Sequence, residues 1–129
     1  MHGNSQEDML TKSTFEAIQR FNDAINQHDV DAVMAAMTAD CVFENTYPPP
    51  DGERYEGHAA VRAFWDRFFS SSPHAVFEAE ETFACGDRCV VRWLYRWVEP
   101  GSKAEHIRGV DVFRVRDGKV AEKFSYVKG

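Results

Sequence analysis

Apolar positions recur at helical spacing early in the chain. Phe15, Ile18, Phe21, Asn22 and Ile25 follow a capping box made by Ser13 and Glu16. That pattern predicts a helix from residue 13, preceded by a flexible tail over residues 1–12. Asp29 is a good N-cap for a second helix carrying Val30, Val33, Met34 and Met37, joined to the first through Asn26, Gln27 and His28. Alternation then replaces the helical period. Cys41, Phe43, Asn45 and Tyr47 share one side of a strand, and Val42, Glu44 and Thr46 share the other. Pro48 to Pro50 and Asp51-Gly52 end that strand in a loop. A third helix, His58 to Phe69, carries a stripe of Val61, Phe64, Trp65, Phe68 and Phe69.

From Ser70 onward the period is that of strands. Ala75 to Ala84 is followed by Arg88 to Val98, whose odd positions are Cys89, Val91, Trp93, Tyr95 and Trp97. Glu99-Pro100-Gly101-Ser102 predicts a turn into a strand ending at Arg116, and Asp117-Gly118 between two alternating runs is a strong hairpin signal. On that strand Ile107, Gly109, Asp111, Phe113 and Val115 share a face. A carboxylate on an apolar face costs several kcal/mol unless it is partnered, so Asp111 calls for a reason. Centring the preceding hairpin near Ser102 sets Asp111 opposite Trp93 and Gly109 opposite Tyr95, a carboxylate among rings. In the last hairpin a two-residue turn brings Glu122, Phe124 and Tyr126 to the Asp111 face. A glycine bulge brings Ala121, Ser125 and Val127 instead, and the sequence leaves both open.

Composition narrows the class. A chain of 129 residues with 43% hydrophobic and 28% charged positions fits one soluble globular domain, here residues 13–129. Aromatics reach 13%, with 10 Phe, favouring a ring-lined core or cavity. The net charge of −6 argues against nucleic acid as a partner. No apolar run is long enough to span a membrane and the N-terminus carries no secretory pattern, so a cytoplasmic location is expected. The 3 Cys, at 41, 85 and 89, have no metal-ligand spacing, and neither a metal nor another cofactor is expected. Cys85 and Cys89 flank a turn and could face each other, but small apolar filler is the preferred reading.

The element order is α+β. With Asp40-Cys41-Val42-Phe43-Glu44-Asn45, Tyr55-Glu56-Gly57-His58-Ala59-Ala60-Val61-Arg62 and Arg108 through Val120, the chain resembles the SnoaL-like branch of the nuclear-transport-factor-2-like superfamily. The superfamily includes ketosteroid isomerases and polyketide cyclases. The resemblance implies a cystatin/NTF2-like cone, a curved antiparallel sheet wrapped around three N-terminal helices. It also implies a homodimer through the outer sheet face, where Arg92, Arg96, Arg108 and Arg114 fall. Asp111 matches the strand carboxylic acid of the isomerases. Their general base is replaced by Asn45 and their tyrosine donor by Phe21. The water-activating set of limonene-epoxide-hydrolase relatives falls loosely on Val91, Trp93 and Ser125 and is not reproduced.

These expectations converge on a pocket for a small apolar or aromatic ligand, with Asp111 as the catalytic candidate. Asn45, Tyr47, Phe21, Phe43, Trp65, Trp93, Tyr95 and Phe113 are its expected lining. If the pocket is catalytic, the expected reaction is isomerisation, cyclisation or dehydration of a carbonyl compound by acid/base chemistry at Asp111. The alternative is a non-catalytic ligand-binding or dimeric association module, in which Asp111 accepts a hydrogen bond from a neighbouring indole or phenol and plugs the cone.

Overall fold

The computed structural model describes residues 5–98 and 104–129. Helices α1 (Ser5–Asn26) and α2 (Val30–Ala35) lead into strand β1 (Met37–Glu44), the short β2 (Arg54–Glu56) and helix α3 (His58–Ser71). Four long strands follow: β3 (Val76–Cys85), β4 (Arg88–Val98), β5 (Ala104–Arg116) and β6 (Lys119–Val127). The six strands form one curved sheet in the order β2-β1-β6-β5-β4-β3. Every neighbouring pair is antiparallel except β1 and β6, which run parallel. The expected α+β cone is present, and its sheet is antiparallel apart from that one pairing.

The helices cover the inner face of the sheet. Phe21 of α1 meets Phe113 of β5 edge-on at 5.8 Å and Trp65 of α3 at 6.5 Å. Ile18, Val33, Met37, Cys41, Phe43, Val61 and Val120 complete a core withdrawn from water. Asn26, at the end of α1, fixes the helix to the sheet. Its amide donates to Phe77 O at 2.8 Å and accepts from Phe77 N at 2.9 Å, copying the pairing of a neighbouring strand.

Several expected boundaries move. Helix α1 starts at Ser5, so residues 5–12 are helical and the Ser13–Glu16 box lies inside the helix. Glu7 and Asp8 in the first turn favour this earlier start by opposing the helix dipole. The extension is tied down at the β3–β4 turn, where Thr14 Oγ1 donates to Gly86 O at 2.7 Å and Gly86 N donates to Thr11 Oγ1 at 2.8 Å. Asp29 does cap α2, accepting from Ala32 N at 3.0 Å. Met37, expected on that helix, is instead the first residue of β1.

The turn expected at residues 99–102 lies outside the described residues. The strands it joins pair Val91 with Asp111, Trp93 with Gly109 and Tyr95 with Ile107, two positions from the expected register. A two-residue slip leaves side-chain parity unchanged, so Asp111 still faces the same side as Trp93 and Tyr95.

The last hairpin combines both sequence alternatives. Asp117 and Gly118 have φ of 54° and 74°, the paired positive values of a two-residue type I′ turn, and Arg116 pairs with Lys119. Between Val115–Val120 and Arg114–Glu122 the register shifts, leaving Ala121 as an extra residue on β6. The bulge reverses parity beyond it, setting Asp111 opposite Ser125 and Phe113 opposite Lys123. Glu122 turns to the outer face, within 3.3 Å of Arg114.

Gly109 is the close-approach point on β5. A Cβ there would lie 2.2 Å from Tyr126 O and 2.5 Å from the Trp93 ring. Gly109→Ala is therefore expected to lower stability by about 1–3 kcal/mol, as overpacking does, read as a drop in the urea midpoint without loss of the two-state transition.

Candidate ligand cavity and acid/base site

Curvature of the sheet leaves space that the helices do not fill. A cavity of about 650 Å³ lies between α3, the end of β1 and the inner faces of β4, β5 and β6. Phe43, Trp65, Trp93, Tyr95, Asn45 and Asp111, all expected to line a pocket, line it. Phe64, Phe68, Phe77, Trp97 and Ile107 add apolar wall, and Ser71 to Ala75 form part of its border. The rings pack on each other: Phe43 stacks on Trp65 at 5.5 Å, Phe77 on Tyr95 at 4.6 Å and Tyr95 on Trp97 at 5.2 Å. A second cavity of about 450 Å³ opens beside α1, bordered by Gln19, Asn22, Asp23 and Asn26. Both cavities include Trp65, Phe77, Trp93, Asp111 and Lys123 in their walls.

Three expected lining residues lie elsewhere. Phe21 and Phe113 are fully buried in the packed core, because α1 presses Phe21 directly onto β5. Tyr47 is 72% exposed. Strand β1 ends at Glu44, and the following loop folds back so that Asn45 N donates to Glu53 O at 2.9 Å and Glu53 N to Tyr47 O at 3.2 Å. Alternation therefore stops after Asn45, and Tyr47 leaves the strand face. Gly52 makes that return possible. It has φ +77°, and a Cβ there would sit 1.7 Å from Asn45 O.

At the centre stands a cluster of three side chains. Ser125 Oγ donates to Asp111 Oδ1 at 2.6 Å, and Lys123 Nζ donates to Ser125 Oγ at 2.9 Å. Lys123 Nζ is also 3.4 Å from Asp111 Oδ2. Both charged residues are buried, Asp111 at 7% exposure and Lys123 at 8%. The ammonium lies over Phe43, 4.5 Å from the ring centroid, and 5.6 Å from that of Trp65. Burial pushes the Lys123 amine below its ordinary value, and attraction to Asp111 only partly restores it. The indole N–H groups of Trp65 and Trp93 are buried without a hydrogen-bond partner among the described residues, so neither serves the Asp111 carboxylate. The cone is not closed, although both Asp111 oxygens contact protein groups.

Other candidates resolve simply. His106 is exposed on the opposite side of β5, so no His–Asp pair forms. His28, in the α1–α2 connection, stacks on Phe69 at 4.7 Å with Nε2 2.8 Å from Ala75 O. The 3 cysteines are free; Cys41 and Cys89 are buried, and burial raises the Cys89 thiol to about 11. Among the described residues no group of His, Cys, Asp or Glu is arranged to hold a metal ion. No described helix is long and apolar enough to cross a membrane. The outer arginines are ion-paired: Arg92 with Glu81 at 2.9 Å, Arg108 with Glu80 at 3.0 Å and Arg114 with Asp87 at 3.3 Å.

The family model of the SnoaL-like domain matches residues 18–123. The chain belongs to the SnoaL-like family. An NTF2-like protein of unknown function from Mesorhizobium loti shares 37% identity over 99% of this chain and 98% of its own, with a TM-score of 0.78. A provisionally assigned polyketide cyclase from Sinorhizobium meliloti shares 24% identity, covering 85% of this chain and 93% of its own, with a TM-score of 0.72. TerC, crystallised with polyporic acid, shares 19% identity over 90% of this chain and 92% of its own at a TM-score of 0.76. The last two show the shared fold. None of the curated proteins compared with the chain matches it.

Sequence reasoning missed Lys123 in this SnoaL-like cavity. Its signal was present but conditional: Lys123 joins the Asp111 face only with the parity that also brings in Ser125.

The shifted amine has a consequence for stability. With its folded pKa below the ordinary 10.5, the unfolded chain binds more protons at Lys123 than the folded one between those two values. This contribution therefore rises with pH through that window and levels off above it. Lys123→Met is expected to flatten the rise, measured as urea midpoints of both proteins between pH 7 and 10.5. Phe21→Ala should cost about 3–5 kcal/mol, as truncation of a packed aromatic does, seen in the same denaturation experiment.

Proposed function

We propose that the ring-lined cavity binds a small, largely apolar or aromatic carbonyl compound, and that Asp111 acts on it as an acid/base. The reaction classes consistent with this are isomerisation, cyclisation and dehydration. The observation that carries the reading is the buried Asp111 carboxylate in the wall of a roughly 650 Å³ cavity that is lined mostly by apolar residues and rich in aromatic rings. As a base, Asp111 removes a proton next to the carbonyl; as an acid, it returns one to the developing enolate. The nearby Lys123 ammonium favours the negative charge that appears on the substrate oxygen. Asn45 offers an amide at the same cavity to orient a carbonyl or water. The co-crystallisation of TerC, of the same fold, with polyporic acid supports a small-molecule role.

A non-catalytic binding module is the second reading, favoured by the engagement of both Asp111 oxygens by Ser125 and Lys123. The outer sheet face, carrying the paired arginines, is the proposed homodimer surface; a monomeric mass in sedimentation equilibrium would remove that part.

The test uses 2-acetylnaphthalene as a planar aromatic ketone. Binding is followed by quenching of tryptophan fluorescence, and chemistry by exchange of the methyl protons in deuterated water. Asp111→Asn is expected to retain binding and slow exchange by about a hundred- to ten-thousand-fold. Exchange no faster than in buffer for the unaltered protein, with binding intact, would instead establish the binding module.

A further inference from the structure

The acid/base reading accounts for Asp111 but leaves the buried amine beside it with only an electrostatic part. Lys123 is placed for more. It is on β6, on the inner face only because of the Ala121 bulge, and it borders both cavities. Its amine is surrounded by the Phe43 and Trp65 rings, Ser125 Oγ at 2.9 Å and Asp111 Oδ2 at 3.4 Å. A lysine that only needs to be an ammonium is served by water, and here water is largely excluded. An amine among rings, with a carboxylate and a hydroxyl in contact, has what nucleophilic attack on a carbonyl needs: an accessible neutral form and a group to carry protons.

We propose that Lys123 is a covalent catalytic residue that condenses with the carbonyl carbon of an aromatic aldehyde or ketone to form an imine, with Asp111 as its proton carrier. The proposal rests on the carbonyl-pocket reading above and names the nucleophile for it.

The step balances within the site. Asp111 takes a proton from the Lys123 ammonium, and the freed lone pair forms a C–N bond while the carbonyl π electrons move to oxygen. A proton passes from nitrogen to that oxygen, giving a carbinolamine. Protonated Asp111 then donates to the hydroxyl, the C–O bond breaks, water leaves and the nitrogen lone pair closes the C=N bond. Ammonium plus carbonyl becomes iminium plus water, and Asp111 ends as the carboxylate it was. The iminium is a stronger electron sink than the parent carbonyl, so the same Asp111 can remove a proton from the adjacent carbon. The lowered affinity of Lys123 for its proton works in the same direction. Among the described residues the charged group facing the amine is Asp111 of β5; Phe43 of β1 and Trp65 of α3 present rings, and Asp23 of α1 borders the second cavity.

The experiment is reductive trapping of the full chain with 2-naphthaldehyde and cyanoborohydride at pH 7, with intact mass and peptide mapping, and with tryptophan quenching recorded alongside. An adduct on Lys123, about tenfold or more above those on the exposed Lys12, Lys119 and Lys128, is expected. Lys123→Arg keeps the positive charge but cannot form the imine and should lose the adduct. Asp111→Asn should slow its formation at least tenfold. Quenching without a Lys123 adduct overturns the imine and leaves the pocket reading standing. Neither quenching nor adduct overturns both. The mapping is done on the unaltered protein, so the outcome does not depend on either variant folding.

Discussion

An ammonium and a carboxylate held away from water, between aromatic rings, set the terms for the inner face of this sheet. Neither charge would be tolerable there alone, because each would be buried without compensation. Together with Ser125 they form a closed chain of contacts linking β5 and β6, and the ammonium reaches across to Phe43 on β1 and Trp65 on α3. The polar cluster thus sits at the junction of three strands and a helix. The cavities on either side owe their shared wall to it.

That cluster depends on one extra residue. Without the bulge at Ala121, β6 would turn Glu122 and Phe124 inward, placing a second carboxylate beside Asp111 with no cation near it. With it, Glu122 meets Arg114 and Arg88 on the outer face and a lysine takes the inner position. The bulge exchanges a repulsive pair for an attractive one. Bulges of this kind re-aim side chains beside functional sites, and here the re-aimed side chain is the amine.

How much of this was legible in the sequence follows from the range of the interactions. Period-two alternation assigned the faces of β4 and β5 correctly, since parity survives a two-residue register error. Asp29 was readable as a cap because capping acts over three residues. The α1 start was not, since Thr11 and Thr14 are anchored by a turn more than seventy residues away in sequence. Phe21 and Phe113 were given the right face and the wrong depth: alternation reports which way a side chain points, not whether a helix will press on it. Tyr47 failed because alternation was extended past the end of β1. Lys123 was hidden behind an unresolved choice of turn, and the protein satisfies that choice with the turn of one alternative and the parity of the other.

The parallel pairing of β1 with β6 carries a further implication, for the order of assembly. Phe43 and Lys123 are partners across strands separated by roughly 80 residues of chain, so the loop that must close before they meet is long and its entropic cost falls before any contact rewards it. The hairpins β3–β4, β4–β5 and β5–β6 close much shorter loops. A chain folding from the unfolded state can therefore build most of its sheet while the β1 edge is still unpaired and the amine still bathed in solvent. Desolvation of Lys123, and with it any reactivity that desolvation confers, is completed only when β6 docks beside β1. The environment of the amine is in this sense a readout of finished folding.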